Sequence, residues 1–217
     1  MYADWSVELG ADDPVLDFPW TAEAASDVSP LAGSDVLNNV ANAATLRFYD
    51  LKADPALIDQ IPEAQSSGEL RKFLQRVNAA GFPLQTAKCD HWFTHEISDE
   101  EEFFGVPCKY GSYVDLLFTN PGLQLSFPSH EEFAETLCNL LKLAPDMKAS
   151  AEVMVRRCFY ATHADSDSNQ DAGSPASGYY FTVYVSGFGE TEASGRQQWG
   201  IALALAQHAL VQSVKGS

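Results

Sequence analysis

Apolar residues recur at helical spacing in three segments of the chain. Two of these segments start with a capping box, Ser66 with Glu69 and Ser129 with Glu132, in which each side chain accepts a hydrogen bond from the other residue's backbone N–H. The third segment, from Arg196 to Val214, is apolar on most faces, which predicts a helix that is buried on several sides. The predicted buried positions of the first two helices are Leu70, Phe73, Leu74, Val77, Phe133, Leu137, Leu140 and Leu141.

Other stretches are rich in branched and aromatic residues and predict β-strands. Asn120-Pro121-Gly122 is a turn signal, and the alternation from Leu123 to Phe127 predicts a strand that returns from this turn as a small hairpin. Thr45 to Leu51 predicts a further short strand, and a helix that runs into this segment from Ser34 is the alternative. A short helix follows, which Asp54 caps and Pro55 opens. The main predicted strands are Gln85–Glu96, Tyr110–Thr119, Glu152–Thr162 and Tyr179–Ser186.

The order of these elements indicates an α+β fold. A strand–helix–strand–strand–helix–strand run is typical of a ferredoxin-like α/β sandwich, in which a mainly antiparallel sheet carries its helices on one face. An extra C-terminal strand and the buried helix would extend this core. Two packed ββα units are the alternative arrangement. A sheet with helices on one side leaves an open face, which must be solvated, covered, paired with another subunit or used as a pocket.

The chain divides into two parts by composition. Residues 1–44 contain no Lys or Arg, and prolines interrupt an acidic stretch that also carries several aromatic residues. This composition predicts an extended N-terminal arm that packs on the domain. Residues 45–217 are predicted to form a single α+β domain. Within it, residues 164–178 are rich in Asp, Ser, Gly and Asn, which predicts a mobile loop.

The charge of the chain argues against two classes of partner. It has 13 Lys and Arg against 30 Asp and Glu, a formal net charge of -17, and no basic run that could neutralise phosphates. We therefore predict that it binds neither nucleic acid nor membranes. The N-terminus lacks the pattern of a signal peptide, and the cysteines are read as reduced core residues, so a cytoplasmic location is expected.

The densest group of possible metal ligands is the segment from Cys89 to Glu96. In a strand, Cys89, His91 and His95 share one face, and Cys and His side chains are good zinc ligands. His91 and His95 lie about 13 Å apart in an extended strand, however, so one metal would need further ligands or a bend. These three residues are the candidate metal ligands, and no other cofactor is predicted.

Two other motifs match ligand-binding patterns only in part. The acidic loop from Asp165 to Asp171 spaces its oxygens like the start of an EF-hand, but it lacks the later glycine and glutamate. We interpret it as a solvated polar loop. Gly187-Phe188-Gly189 lacks the rest of a phosphate-binding glycine motif, and we interpret it as a bulge or turn. No sequence pattern of a nucleophilic enzyme is present.

The open face of the predicted sheet supplies the remaining candidate residues. Asp115 lies in an otherwise apolar strand, and Arg156 or Arg157 is a candidate to pair with it. Tyrosine-rich amphipathic surfaces suit interfaces and also pockets. The expected function is therefore binding or assembly, with this face or the N-terminal arm contacting another protein or a second copy. A small enzyme or metal-dependent protein with a pocket near His91 is the alternative. The candidate ligand or interface residues are Asp115, Arg157, Tyr180 and Tyr184.

Overall fold

A computed structural model describes residues 1–10, 15–16, 49–160 and 176–214, with the backbone alone described at residues 15–16. These ranges form an α+β fold around one mixed sheet. The strands are β1 (Tyr2–Glu8), β2 (Val15–Leu16), β3 (Leu84–Thr94), β4 (Cys108–Phe118), β5 (Ala149–Tyr160) and β6 (Ala176–Gly189). The α-helices are α1 (Pro62–Ser66), α2 (Gly68–Val77), α3 (Pro121–Gln124), α4 (Phe127–Lys142) and α5 (Glu192–Ser213), and short 3-10 helices span Pro55–Gln60 and Glu102–Phe104.

Among the described residues the sheet has six strands: two hairpins and the two N-terminal strands β1 and β2. Its strand order is β1-β5-β6-β4-β3, and β2 also pairs with β5. The β3–β4 and β5–β6 hairpins are antiparallel, each is followed by a helix, and β4 pairs with β6 to join them. β1 runs parallel to β5. The ferredoxin-like topology is not confirmed, because the strand order is different and includes parallel pairing. The observed order resembles the alternative of two ββα units in one sheet.

The main core lies between one face of the sheet and the helices α2, α4 and α5. Trp199 of α5 is fully buried there, and its indole N–H donates to the Ser112 hydroxyl of β4 at 2.8 Å. The apolar spacing of α2 is confirmed, because the four positions that it predicts are all buried. None of the helices in the described ranges has the length and apolar content needed to cross a lipid bilayer.

The interpretation of Gly187-Phe188-Gly189 as a bulge or turn is wrong. These residues continue β6, and the glycines allow α5 to lie directly against the strand. A Cβ atom at Gly187 would lie 2.0 Å from the backbone nitrogen of Trp199 and 2.5 Å from the carbonyl oxygen of Gly195. The glycines therefore serve close helix–sheet packing rather than a change of direction.

Several predicted starts and ends are shifted because a competing cap is used. Ser67, not Ser66, caps α2 by accepting from Leu70 N–H, and Ser126, not Ser129, caps α4. The predicted hairpin return at Leu123–Phe127 is also wrong. Asn120 instead caps α3, and Pro121 occupies its first turn. The alternation of apolar and polar residues over only five positions is therefore a weaker signal for a strand than the capping Asn120 and Pro121 are for a helix.

Parts of the predicted arm and loop lie outside the described residues. Within the arm, β1 and β2 pair along β5. Residues 164–175 of the predicted mobile loop, including the acidic EF-hand-like segment, are not described, whereas Ala176–Gly178 belong to β6. Residues 45–48 of the predicted first strand are also outside the described ranges, and Leu51 lies in a turn.

Candidate functional site

A row of acidic and aromatic side chains crosses the face of the sheet opposite α2, α4 and α5, which we call the open face. Strand register places Asp90 opposite Tyr113, Tyr113 opposite Tyr184, Tyr184 opposite Glu152, and Glu152 opposite Asp4. Directly paired residues lie on the same face of a sheet, so these five residues form one line, which we call the acidic–aromatic row. At about 4.8 Å between strands, the row is roughly 19 Å long.

The aromatic rings of the row are close enough to form one surface. The Tyr113 and Tyr184 ring centroids are 6.0 Å apart, and Trp92 lies 6.4 Å from Tyr113. Trp92 covers Gly111, its cross-strand neighbour, because a Cβ atom there would lie 2.9 Å from the Trp92 ring. All three aromatic side chains are partly exposed. They present ring surface to solvent at the centre of the open face.

The carboxylates of the row create a negative local potential. Asp4, Asp90 and Glu152 form no ion pair with a basic residue in the described ranges. The nearby Asp4 carboxylate raises the pKa of Tyr2. Burial, together with the carboxylates of Asp115 and Asp90, raises the pKa of Tyr113. Asp4 and Glu152 face each other directly, an arrangement that is unfavourable for like charges.

Asp115 lies beside the row on the same face and is buried. Its carboxylate accepts a hydrogen bond from the Thr182 hydroxyl at 2.6 Å. Burial raises the pKa of Asp115, and the Thr182 hydrogen bond partly offsets this shift. The expected pairing of Asp115 with an arginine is wrong, because Arg156 pairs instead with Glu8 at 2.7 Å. Asp115 is thus a satisfied buried group at the edge of the row.

The other predicted interface residues do not all lie together. Tyr184 belongs to the acidic–aromatic row. Tyr180 is on the same face but is buried, and burial raises its pKa while Arg156 lowers it. Arg157 lies on the opposite, helix-covered face, where its guanidinium donates to the Gly10 carbonyl at 3.0 Å. Arg156, its neighbour in sequence, is the arginine that shares the open face.

The predicted metal ligands lie on the helix-covered side. Cys89 is half-buried, and burial raises its pKa to about 12, which favours the neutral thiol. Both ring nitrogens of His91 contact hydroxyl groups, while His95 Nδ1 lies 3.5 Å from Cys108 Sγ. Among residues 1–10, 49–160 and 176–214, no group of three or more His, Cys, Asp or Glu side chains could hold a metal ion. The described geometry gives a metal site at these residues no support.

His91 connects two residues that were not predicted as site residues. Its Nε2 atom lies 2.8 Å from the Ser66 hydroxyl, and its Nδ1 atom lies 2.9 Å from the Tyr110 hydroxyl. Ser66 was interpreted only as a helix cap, and Tyr110 only as a strand residue. The sequence does give one signal for this contact, the neighbouring serines Ser66 and Ser67. A helix start needs only one capping serine, so the second serine is available for another contact.

Comparisons of this chain with protein-family models, with curated proteins and with solved structures gave no match. The functional argument therefore rests on the geometry of the described residues.

Proposed function

We propose that this chain is a binding protein whose open sheet face receives a basic segment of another protein. The observation that carries the proposal is the acidic–aromatic row, in which three carboxylates that have no ion partner among the described residues flank two tyrosine rings. A Lys or Arg side chain can stack on an aromatic ring and neutralise an adjacent carboxylate. Such a ligand would also relieve the repulsion between Asp4 and Glu152.

The charge of the whole chain supports the same class of partner. A net charge of -17 attracts cationic surfaces over long distances and raises their association rate. The same charge disfavours self-association through this face, because two copies would bring equal acidic rows together. We therefore favour a basic partner over a homo-oligomer. The N-terminal arm is the other predicted contact region, but residues 11–14 and 17–48 lie outside the described ranges.

The proposal is tested by selecting displayed random peptides on the purified full chain. Selected peptides should be enriched in Lys or Arg next to apolar residues, and their affinity should fall as salt is added. The variant D90K/E152K should weaken binding of these peptides at least tenfold, because it reverses two charges of the row. The affinity is measured by isothermal titration calorimetry.

The matched control is E132K/E135K, which makes the same change in net charge on the exposed side of α4. This control should bind the peptides nearly as well as the unmodified chain. Peptides without basic enrichment, or equal weakening by the two double variants, would contradict the proposal. Equal weakening would show that only the net charge of the chain matters.

A further inference from the structure

A serine, a histidine and a tyrosine form a continuous line of contacts at the sheet–helix boundary. Ser66 is the last residue of α1, His91 lies in β3 and Tyr110 lies in β4. The Ser66 Oγ to His91 Nε2 distance is 2.8 Å, and the His91 Nδ1 to Tyr110 hydroxyl distance is 2.9 Å. These distances match the reach between a nucleophile, its general base and a group that orients the base.

The exposure of the three side chains also suits this division of roles. Ser66 is exposed, His91 is partly exposed and Tyr110 is buried. The Ser66 hydroxyl is not needed to cap α2, because Ser67 already accepts from the Leu70 N–H. Within the described ranges the hydroxyl also donates to the Glu63 carbonyl at 3.1 Å, so its proton must turn from that carbonyl to His91 Nε2 before the serine can attack. A reagent in solution can therefore reach the hydroxyl that His91 contacts.

The surroundings of Ser66 provide a cation and an apolar groove. Arg196 extends over the Tyr110 ring at 5.6 Å, and its guanidinium lies 3.4 Å from the Ser66 carbonyl oxygen. Arg196 and Glu69 also border a groove of about 970 Å³ along α2 and α5. Ile201, Leu203 and Leu205 supply apolar wall to this groove. A negative charge that develops near Ser66 would face the Arg196 guanidinium, which also lies 3.9 Å from the Glu69 carboxylate. An apolar acyl chain could lie in the groove beside it.

We propose that Ser66 is a nucleophile for acyl transfer from esters with an apolar acyl chain. His91 is the general base, Tyr110 positions the imidazole, and Arg196 stabilises the oxyanion. Ser66 Oγ bonds to the ester carbonyl carbon while His91 takes the hydroxyl proton. The bond to the leaving alcohol then breaks, and the alcohol receives that proton. Water hydrolyses the acyl-serine in the second half by the same proton path, which restores Ser66 and releases the acid.

The test uses an alkyl fluorophosphonate as the probe on the full chain. Ser66 Oγ attacks phosphorus, fluoride leaves, and His91 accepts the proton, so the protein gains one phosphonyl group. Intact-mass spectrometry should show a single adduct, and peptide mapping should place it on Ser66. No adduct, or an adduct confined to another residue, would overturn the proposal without any need for a variant.

Variants then separate the chemistry from folding. S66A should remove the adduct, and H91Q should slow its formation at least a hundredfold, while the matched changes S98A and H208Q at exposed positions should have no effect. Y110F should slow labelling about tenfold and alter its pH profile, because the imidazole loses the contact that orients it. Urea unfolding of each variant checks that it is folded. Labelling of folded H91Q at the rate of the unmodified chain would refute the role of His91.

Discussion

Replacing Gly187 by alanine tests how closely α5 approaches the sheet. The added Cβ atom would lie 2.0 Å from Trp199 N and 2.6 Å from Trp199 Cα, both backbone atoms of the helix. Comfortable contacts between such atoms are about 3.5 Å, so the helix would have to withdraw by roughly 1.5 Å along this stretch. Rotation of a side chain cannot relieve this overlap, because the three atoms nearest to the added Cβ all belong to the backbone.

The expected loss is large for a single methyl group. Overpacking a core position typically lowers the free energy of unfolding by about 1–3 kcal/mol, and backbone overlap belongs at the upper end. Alanine also restricts the unfolded chain, which returns up to about 1 kcal/mol. We therefore expect a net loss of about 2 kcal/mol. With a urea m-value of about 2 kcal/mol/M, the unfolding midpoint should fall by about 1 M.

The measurement is equilibrium urea unfolding followed by far-ultraviolet circular dichroism. Gly68→Ala is the matched control, because a Cβ atom at the start of α2 would meet nothing within 4 Å. Its midpoint should stay the same or rise slightly, since alanine favours a helix. A Gly187→Ala midpoint within about 0.5 M of the unmodified chain would refute the argument from close packing, since the m-value converts that shift to only about 1 kcal/mol.

Two further predictions concern buried ionisable groups. Burial lowers the pKa of His130 to about 4, so the unfolded chain, with an ordinary imidazole near 6.5, takes up the proton first as pH falls. The stability that neutral His130 contributes is complete above about pH 6.5, and about 3 kcal/mol of it is lost as the pH falls towards 4. The urea midpoint of His130→Leu should therefore depend less on pH than that of the unmodified chain. Parallel plots of midpoint against pH would contradict this. Thr182→Val removes the donor to the Asp115 carboxylate and should lower the free energy of unfolding by about 2 kcal/mol. In a chain that already carries Asp115→Asn, Thr182→Val should lower the free energy of unfolding less than half as much. If urea unfolding gives the same loss in both backgrounds, the hydrogen bond is not charge-assisted.

Local rules predicted the elements whose signals lie within a few residues. The buried stripe of α2 depends only on helical spacing, and Asp54 caps the 3-10 helix that Pro55 opens. The same rules could not choose between Ser66 and Ser67, because either serine can cap a helix. In the folded chain Ser66 is the last residue of α1 and contacts His91, while Ser67 caps α2.

The acidic–aromatic row could not be predicted, because it depends on the alignment of strands that are far apart in sequence. Asp90 faces Tyr113 only because β3 has an irregularity between Thr86 and Cys89, which shifts every later pair. Alternation did predict correctly that Tyr180 and Tyr184 share a face. It could not show that Asp4, in a segment interpreted as an arm, would complete the same row.

The parallel pairing of β1 with β5 affects how the chain can fold during synthesis. Tyr2 is opposite Ser150, so the ribosome must make most of the chain before this contact is possible. At about 5–20 residues per second, β1 waits on the order of ten seconds for its partner. During that time Ala3, which is buried in the folded chain, and Trp5, which packs against the core, have no sheet to contact. After β5 is synthesised, the edge that will pair with β1 has unpaired backbone N–H and C=O groups until β1 binds to it. During that time this edge can pair with a wrong strand.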